Sequence, residues 1–303
     1  MTLVISSCSK RKRVPLDPTL RAKDLDRGKT REVATYWASR VAQAPATTKV
    51  KDLYGGRAFV EASNAARASK AQLLIVSAGL GLIAAENMAP AYSLTMSRRD
   101  PDCILDKTGG TAADWWAAIQ RVSPMQCEAL QEEQGLILAA LPSAYLSMVA
   151  AAWSDWPAER LRRLRLFSKE RPAVGSEALR STWMPYDDRL DAIDAVYKGT
   201  QGDFAQRAAR HFASTIEGVR IEDDRRAVSA ALEGLASRDV PIRSRLSDVE
   251  ILKIIDRDWE VVSGRSSAML RRLRDDLVVA CEQRRFKDLF KTVADSRAGG
   301  SVI

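Results

Sequence analysis

The chain has 303 residues, of which 46% are hydrophobic and 28% are charged, and its formal net charge is +8. This composition is typical of a globular protein with room for one large and one small domain, and it excludes a disordered or collagen-like chain. No apolar window approaches the length of a membrane span, and the apolar stretch at the N-terminus is too short for a signal peptide, so we expect a cytoplasmic protein without membrane association.

Apolar runs alternate with helical periodicity through the first two thirds of the chain. The predicted strands are residues 3–5, 72–77, 135–141 and 164–167. The predicted helices are residues 30–44, 58–69, 115–122, 142–153 and 203–216. Strands that alternate with helices indicate an α/β fold with a mostly parallel sheet.

The sequence changes character near Ile221, and beyond that point we find no convincing apolar strand. The remainder is predicted to be helical at residues 226–237, 247–258, 266–276 and 281–294. We therefore predict an α/β domain over residues 1–222 and a small all-helical, helix-turn-helix-like domain over residues 223–303.

The helical tail is rich in cations between Gly264 and Lys291, a stretch that contains eight lysines and arginines but only four acidic residues. Cations clustered on one face of a helix can bind the phosphates of DNA, whereas a helical bundle with a solvated basic face is the other interpretation. The predicted DNA-binding residues are Arg265, Arg271, Arg272, Arg274, Arg284, Arg285 and Lys287.

The first predicted strand ends in a loop that carries a thiol, Cys8, and four consecutive cations at residues 10–13. Ligands of open α/β sheets bind outside the carboxyl ends of the strands, so a site is expected here. A cation beside a cysteine favours the thiolate, which is the nucleophilic form. A buried strand-end cysteine with a solvated basic loop is the competing interpretation.

Two further loops, residues 54–57 and 77–81, contain glycines that permit close approach of a ligand to the backbone. The second loop lacks the third glycine of a dinucleotide fingerprint, and the chain contains neither a phosphate-binding P-loop nor a nucleophile elbow.

The four cysteines are scattered and there is a single histidine, His211. We therefore expect no cofactor and no metal centre. Ser143 and Tyr145 follow the strand at 135–141 and are further candidates for the same crevice, although a helix-start serine is the simpler interpretation of Ser143.

Taken in order along the chain, these loops resemble the YaaA-like superfamily. Its cysteine-bearing members have a first strand that ends in C-x-K-x-K, and the family pattern continues with a Tyr-Gly turn, a Ser-x-x-x-Gly strand end and a Tyr-x-Leu segment. The matching residues here are Cys8, Lys10, Lys12, Tyr54, Gly56, Ser77, Gly81, Tyr92 and Leu94. The resemblance does not extend to the helical tail, and the chain departs from the pattern at Leu80, where an aromatic residue or a lysine is common.

The resemblance implies an α/β fold and an association with DNA. One branch of the family includes a peroxide-stress protein linked to DNA binding, and another includes the nitrile hydratase of bacterial deazaguanine DNA-modification clusters. The catalytic residues implied for this chain are Cys8, Lys10, Tyr54 and Ser77. The substrate-binding residues implied for it are Lys12, Gly56, Arg57, Gly79, Gly81 and Tyr92.

The leading hypothesis is a DNA-acting protein of bacterial DNA modification or defence that converts a nitrile-bearing deazaguanine base to its amide through Cys8. Two other hypotheses stand beside it: a non-catalytic DNA-binding stress-response protein, and an enzyme of free nucleobases whose tail mediates assembly. Taken singly, Tyr54 and Tyr92 are also explained by core packing, and Ser77 by a hydroxyl bonded to the backbone.

Overall fold

The computed structural model describes residues 1–98, 100–125, 127, 129–132, 134–216, 218–237 and 243–298. Its contacts divide the chain into two compact units, Met1–Arg238 and Asp239–Ile303. The division therefore falls after the helix Ile221–Leu232 rather than at residue 222. Val228 and Leu232 of this helix are fully buried in the core of the first unit.

The first unit is built on a five-stranded sheet. Its strands are β1 Leu3–Ser7, β3 Gln72–Ser77, β4 Gly81–Ala84, β6 Ile137–Ala140 and β7 Leu164–Phe167; a separate pair joins β2 Thr48–Lys49 to β5 Met88–Ala89. The spatial order is β4-β3-β1-β6-β7, in which only β4 runs antiparallel to its neighbour. The predicted α/β class with a mostly parallel sheet is confirmed.

Helices cover the sheet and connect its strands. In the first unit they are α1 Thr30–Gln43, α2 Val50–Leu53, α3 Arg57–Ala68, α4 Leu105–Thr108, α5 Ala112–Val122, α6 Ala129–Glu132, α7 Ser143–Ser154, α8 Ala158–Arg163, α9 Glu177–Arg180, α10 Leu190–Ile193, α11 Phe204–Thr215 and α12 Ile221–Leu232. Every residue of β1, β6 and β7 is buried, as expected for strands covered on both faces. Helices α3 and α11 pack against each other and onto the sheet, while α5 packs onto β4 and contacts α1 and α7. Within the described ranges, no helix combines the length and the apolar character needed to cross a membrane.

The second unit is helical apart from one short strand pair. Its elements are β8 Ser244–Arg245, α13 Asp248–Arg257, α14 Ser266–Arg271, a π-helical turn Arg272–Asp276, β9 Val279–Ala280 and α15 Gln283–Ala298. The parallel pair of β8 and β9 corrects the prediction of an all-helical tail. Helix α15 contacts both α13 and α14 around a small apolar core that includes Ile251, Met269 and Phe286.

A buried ion pair attaches α12 to the sheet of the first unit. Arg165 on β7 is fully buried and pairs with Asp224 on α12. The other oxygen of that carboxylate, Oδ1, accepts a hydrogen bond from the amide of Val219 at 3.2 Å. Because both charges are removed from water, each depends on the other for compensation. This pair explains why the division between the units lies beyond α12.

His211 lies inside the first unit, on α11. Its ring is 3% exposed and packs edge-on against the rings of Tyr186 and Tyr197. Its Nδ1 atom is 2.7 Å from the Tyr186 hydroxyl, and Thr215 lies beside Nε2 at 3.4 Å. Burial lowers the pKa of His211, so the folded protein holds this ring in its neutral form.

We expect the free energy of unfolding to fall as the pH drops below 6.5, the ordinary pKa of histidine. The unfolded chain takes up a proton there, whereas the folded chain resists that proton until the pH is lower, so acid favours unfolding. Urea unfolding between about pH 8 and about pH 5 measures this dependence, which spans the range where histidine titrates. The His211→Gln variant should show a flatter dependence, and an unchanged slope would contradict the assignment.

Candidate active site

The sheet order brings the ends of β1 and β6 together at a topological switch point. From β1 the chain passes to β3 on one side, and it later returns to β6 on the other side. Open α/β sheets bind ligands in the crevice at such a point. Cys8 directly follows β1, and Tyr145 lies in the first turn of α7, after β6. The two side chains meet across the crevice, with Cys8 Sγ 3.0 Å from Tyr145 Oη.

The cationic loop that contains Cys8 is held against the Tyr-Gly turn. The amide of Cys8 extends the hydrogen bonding between β1 and β3 by one residue. Lys12 and Tyr54 form an antiparallel bridge, and two backbone hydrogen bonds of 2.9 and 3.0 Å join residues 11–13 to residues 53–55. Two loops that are distant in sequence are therefore one structural unit beside the thiol.

Lys12 shares the surroundings of the thiol. Its Nζ atom lies 4.8 Å from the ring centroid of Tyr54 and 4.6 Å from that of Tyr92, and it donates a hydrogen bond to the carbonyl of Ser9 at 2.7 Å. Burial lowers the pKa of Lys12, while the negative charge of the Cys8 thiolate opposes this with a smaller increase. A half-buried ammonium of this kind releases its proton more readily than an exposed lysine.

Lys10 has a different environment, although it matches the same C-x-K-x-K pattern. Its side chain is 69% exposed and forms an ion pair with Asp100. The two lysines of the pattern therefore differ in their surroundings. Lys12 lies beside the thiol, whereas Lys10 is engaged in an ion pair.

Three hydroxyl groups form a buried network beneath Lys12. Tyr92 Oη lies 2.6 Å from Ser77 Oγ and 2.9 Å from Tyr54 Oη, and Ser77 Oγ accepts a hydrogen bond from the amide of Leu80 at 3.0 Å. All three side chains are fully buried, and burial raises the pKa of both tyrosines. The two tyrosine rings also contact Lys12, Phe59 and Trp37, so the network holds the surroundings of Lys12 in place. The contact with substrate that the resemblance implies for Tyr54, Ser77 and Tyr92 stays a prediction.

The glycines of the 77–81 loop serve packing. Residues 78–80 form the turn between β3 and β4, and Gly81 pairs with Ser77 across it. A Cβ atom on Gly79 would lie 2.5 Å from the ring of Tyr92, so only glycine lets that ring reach the hydroxyl network. The indole of Trp37 donates to the carbonyl of Gly79 at 2.7 Å, which fixes the turn from the side of α1.

Gly56 and Arg57 begin α3 beside the thiol loop. Gly56 has φ +97°, a conformation that favours glycine, and a Cβ atom there would lie 3.6 Å from Ser9 Oγ. The guanidinium of Arg57 lies 3.5 Å from a carboxylate oxygen of Glu61 and 3.7 Å from one of Asp203. Gly56 therefore adjoins the candidate site, whereas Arg57 is engaged in ion pairs.

One polar side chain at the switch point has no signal in the sequence. Gln206 on α11 is fully buried and donates to Ser6 Oγ and to the carbonyl of Ala140, both at 3.2 Å. These acceptors lie at the ends of β1 and β6. Because Gln206 is 200 residues from Ser6 in the chain, only the packing of α11 on the sheet reveals it. Tyr145 had a weaker signal, its position just after a predicted strand.

The predicted DNA-binding residues of the second unit separate into three sets. Hydrogen bonds from Arg257 and Arg272 lower the pKa of Asp258 to about 2, so the charge of Arg272 is compensated. Arg285 is likewise paired with Asp248, at 2.7 Å. Arg284 is exposed and lies apart from the remaining four. Those four line a common cavity: Arg265, Arg271, Arg274 and Lys287.

The candidate active site thus offers a thiol and two groups that can donate protons, Lys12 and Tyr145. Within the described part of the chain, no group of three or more histidine, cysteine or acidic residues is placed to hold a metal ion. Comparison of the chain with protein-family models, with curated proteins and with solved structures finds no match.

Proposed function

We propose that this chain is a cysteine-dependent enzyme of bacterial DNA modification or defence, which adds water to the nitrile of a deazaguanine base in DNA. The observation that carries the proposal is the contact of Cys8 with Tyr145 at the switch point, beside the half-buried Lys12. The resemblance to the YaaA-like superfamily supports the choice of substrate, and these three side chains support the choice of reaction.

The reaction begins with attack of the Cys8 thiolate on the nitrile carbon. A carbon–sulfur bond forms, one π bond of the nitrile breaks, and its electron pair moves to the nitrogen. The Lys12 ammonium gives a proton to that nitrogen, which produces a thioimidate and leaves a neutral amine. The lowered pKa of Lys12 assists this transfer, because burial already disfavours the charged form.

Water completes the hydration. It adds across the carbon–nitrogen double bond of the thioimidate, with its hydroxyl on carbon and its proton on nitrogen. Neutral Lys12 then takes the hydroxyl proton as the carbonyl forms and the carbon–sulfur bond breaks. This step releases the amide and restores both the Cys8 thiolate and the Lys12 ammonium.

The tyrosines keep this pair in place. Burial raises the pKa of Tyr145, so its hydroxyl stays protonated and donates to the sulfur when Cys8 is a thiolate. The rings of Tyr54 and Tyr92 lie against the Lys12 ammonium, an arrangement that stabilises a cation near an aromatic face. Because Cys8 is only 8% exposed, the reaction requires that the nucleobase gain access to a nearly buried sulfur.

The test is incubation of the full chain with a duplex that contains the nitrile-bearing deazaguanine, followed by digestion and nucleoside mass spectrometry. We expect the wild-type protein to convert the nitrile nucleoside to a product heavier by one water. The Cys8→Ala variant should give no such product, whereas Cys127→Ala, which removes a half-buried thiol elsewhere, should retain activity.

Three results would point away from the proposal. Full activity of Cys8→Ala would exclude the thiol as the nucleophile. Salt-sensitive binding of the duplex without any product would favour the non-catalytic DNA-binding protein. Turnover of the free nitrile base, with DNA left unchanged, would favour an enzyme of free nucleobases.

A further inference from the structure

A cavity of about 920 Å³ lies in the second unit, beside α14 and the beginning of α15. Its floor includes the apolar side chains of Leu270 and Phe286. The charged residues that line it are Arg243, Arg265, Arg271, Arg274, Asp275 and Lys287. Five cations from separate segments of the unit therefore share one concave surface with a single acid.

This cavity concentrates the positive charge of the second unit. Residues 243–298 contain 13 lysines and arginines and 10 aspartates and glutamates. Since five of the cations but only one of the acids line the cavity, acids outnumber cations over the rest of the unit. The single acid, Asp275, lies 3.4 Å from the guanidinium of Arg243 and offsets one charge only.

Four of the five lining cations divide into a fixed pair and an exposed pair. Arg243 donates a hydrogen bond to the carbonyl of Arg274 at 2.9 Å, and Arg274 donates one to the carbonyl of Cys281 at 2.8 Å. Both side chains are half-buried, and these bonds fix them in the wall of the cavity. Arg271 and Lys287 are exposed, and neither forms an ion pair with an acid among the described residues. The exposed cations are free to contact an anion.

We propose that this cavity binds the phosphodiester backbone of DNA, a choice of partner that rests on the proposed function. Sites for small anions usually enclose the ligand with fixed, buried polar groups. Here the long side chains of Arg271 and Lys287 extend into solvent from walls that are themselves cationic, an arrangement that suits successive phosphates on a chain. Such contacts position a protein on DNA without reading the base sequence.

The test measures binding of a short, unmodified, fluorescein-labelled duplex to the full chain by fluorescence anisotropy. The Arg271→Glu/Lys287→Glu variant should bind at least about tenfold more weakly than the wild type and should show a flatter dependence on salt, because phosphate contacts are lost. The matched control is Arg245→Glu/Lys253→Glu, which reverses one arginine and one lysine at exposed positions of the same unit outside the cavity and so makes the same change in net charge. It should bind within about threefold of the wild type, since only screened long-range charge is altered.

Equal weakening by both variants would show a response to net charge alone and would overturn the proposal, as would unchanged binding by the cavity variant. Displacement of the duplex by an equimolar amount of inorganic phosphate would show a small-anion site instead. If charge reversal prevents folding, the glutamine versions of the same two pairs give the same comparison. The unmodified duplex carries no nitrile and its binding is measured without turnover, so failure of catalysis is distinguishable from failure of this proposal.

Discussion

Replacement of Lys12 by Met is expected to lower kcat for nitrile hydration by about 100-fold to 10,000-fold, the range that follows the loss of a general acid. The substitution keeps the length and the apolar stem of the side chain but removes the proton that the nitrile nitrogen must receive. In the wild type, the rate should fall as the pH rises through the pKa of Lys12, which burial places below its ordinary value. The variant should lack this alkaline decline. Both are measured from single-turnover rates at a series of pH values.

Lys10→Met is the matched control for this prediction. It removes the same functional group two residues away, from a side chain that is mostly exposed and paired with Asp100. Its rate should stay within about threefold of the wild type, since a screened surface ion pair is lost. If Lys10→Met is the more damaging change, the assignment of the proton donor to Lys12 is wrong.

The Asp224→Ala variant is expected to lose about 3–5 kcal/mol of unfolding free energy, the cost of leaving a buried charge without its partner. Arg165 is fully buried on β7, and Asp224 is the acid that pairs with it. The loss is measured by urea unfolding of the wild type and the variant at neutral pH. Because this pair joins α12 to β7 within the first unit, the unfolding transition of that unit should move while that of the second unit is unchanged.

Two further variants separate the buried charge from a general effect of substitution. Asp223→Ala removes the neighbouring carboxylate, which pairs with Arg220 and Arg226 at the surface, and should leave the stability nearly unchanged. The Arg165→Met/Asp224→Leu double variant removes both buried charges and should recover most of the loss. A double variant as unstable as Asp224→Ala would show that packing, not charge, sets the cost.

The fold was predictable because its strands have strong sequence signals. Residues 72–77 and 164–167 were predicted with the bounds that β3 and β7 have. In β3 four apolar residues stand between Gln72 and Ser77, and in β7 the apolar residues flank a single charged one, Arg165. The boundary between the two units was harder to predict from the sequence. The charged run 222–226 reads as a solvated linker, and only the tertiary contact of Asp224 with Arg165 shows that one of its acids is buried.

The sequence places the candidate site at the strand ends, but it does not distinguish the environments of the two lysines. The motif treats Lys10 and Lys12 alike, and their difference arises because Lys12 pairs with Tyr54 while Lys10 lies beyond that contact. The same limit applies to the second unit. Arg272 and Arg285 are neutralised by acids on or beside α13, which lie 14 and 37 residues away in the chain. The residues next to each arginine in the sequence therefore do not indicate that its charge is compensated.

The pairing of residues 11–13 with residues 53–55 also limits how this chain can change in length. In an antiparallel pair, a slip of one residue moves each side chain to the opposite face. A single insertion before Lys12 would therefore present Arg11 or Arg13 to the rings of Tyr54 and Tyr92. A guanidinium there would preserve the positive charge but, being permanently protonated, could not relay hydrogen ions. Insertions and deletions in either segment should thus abolish turnover while sparing the fold.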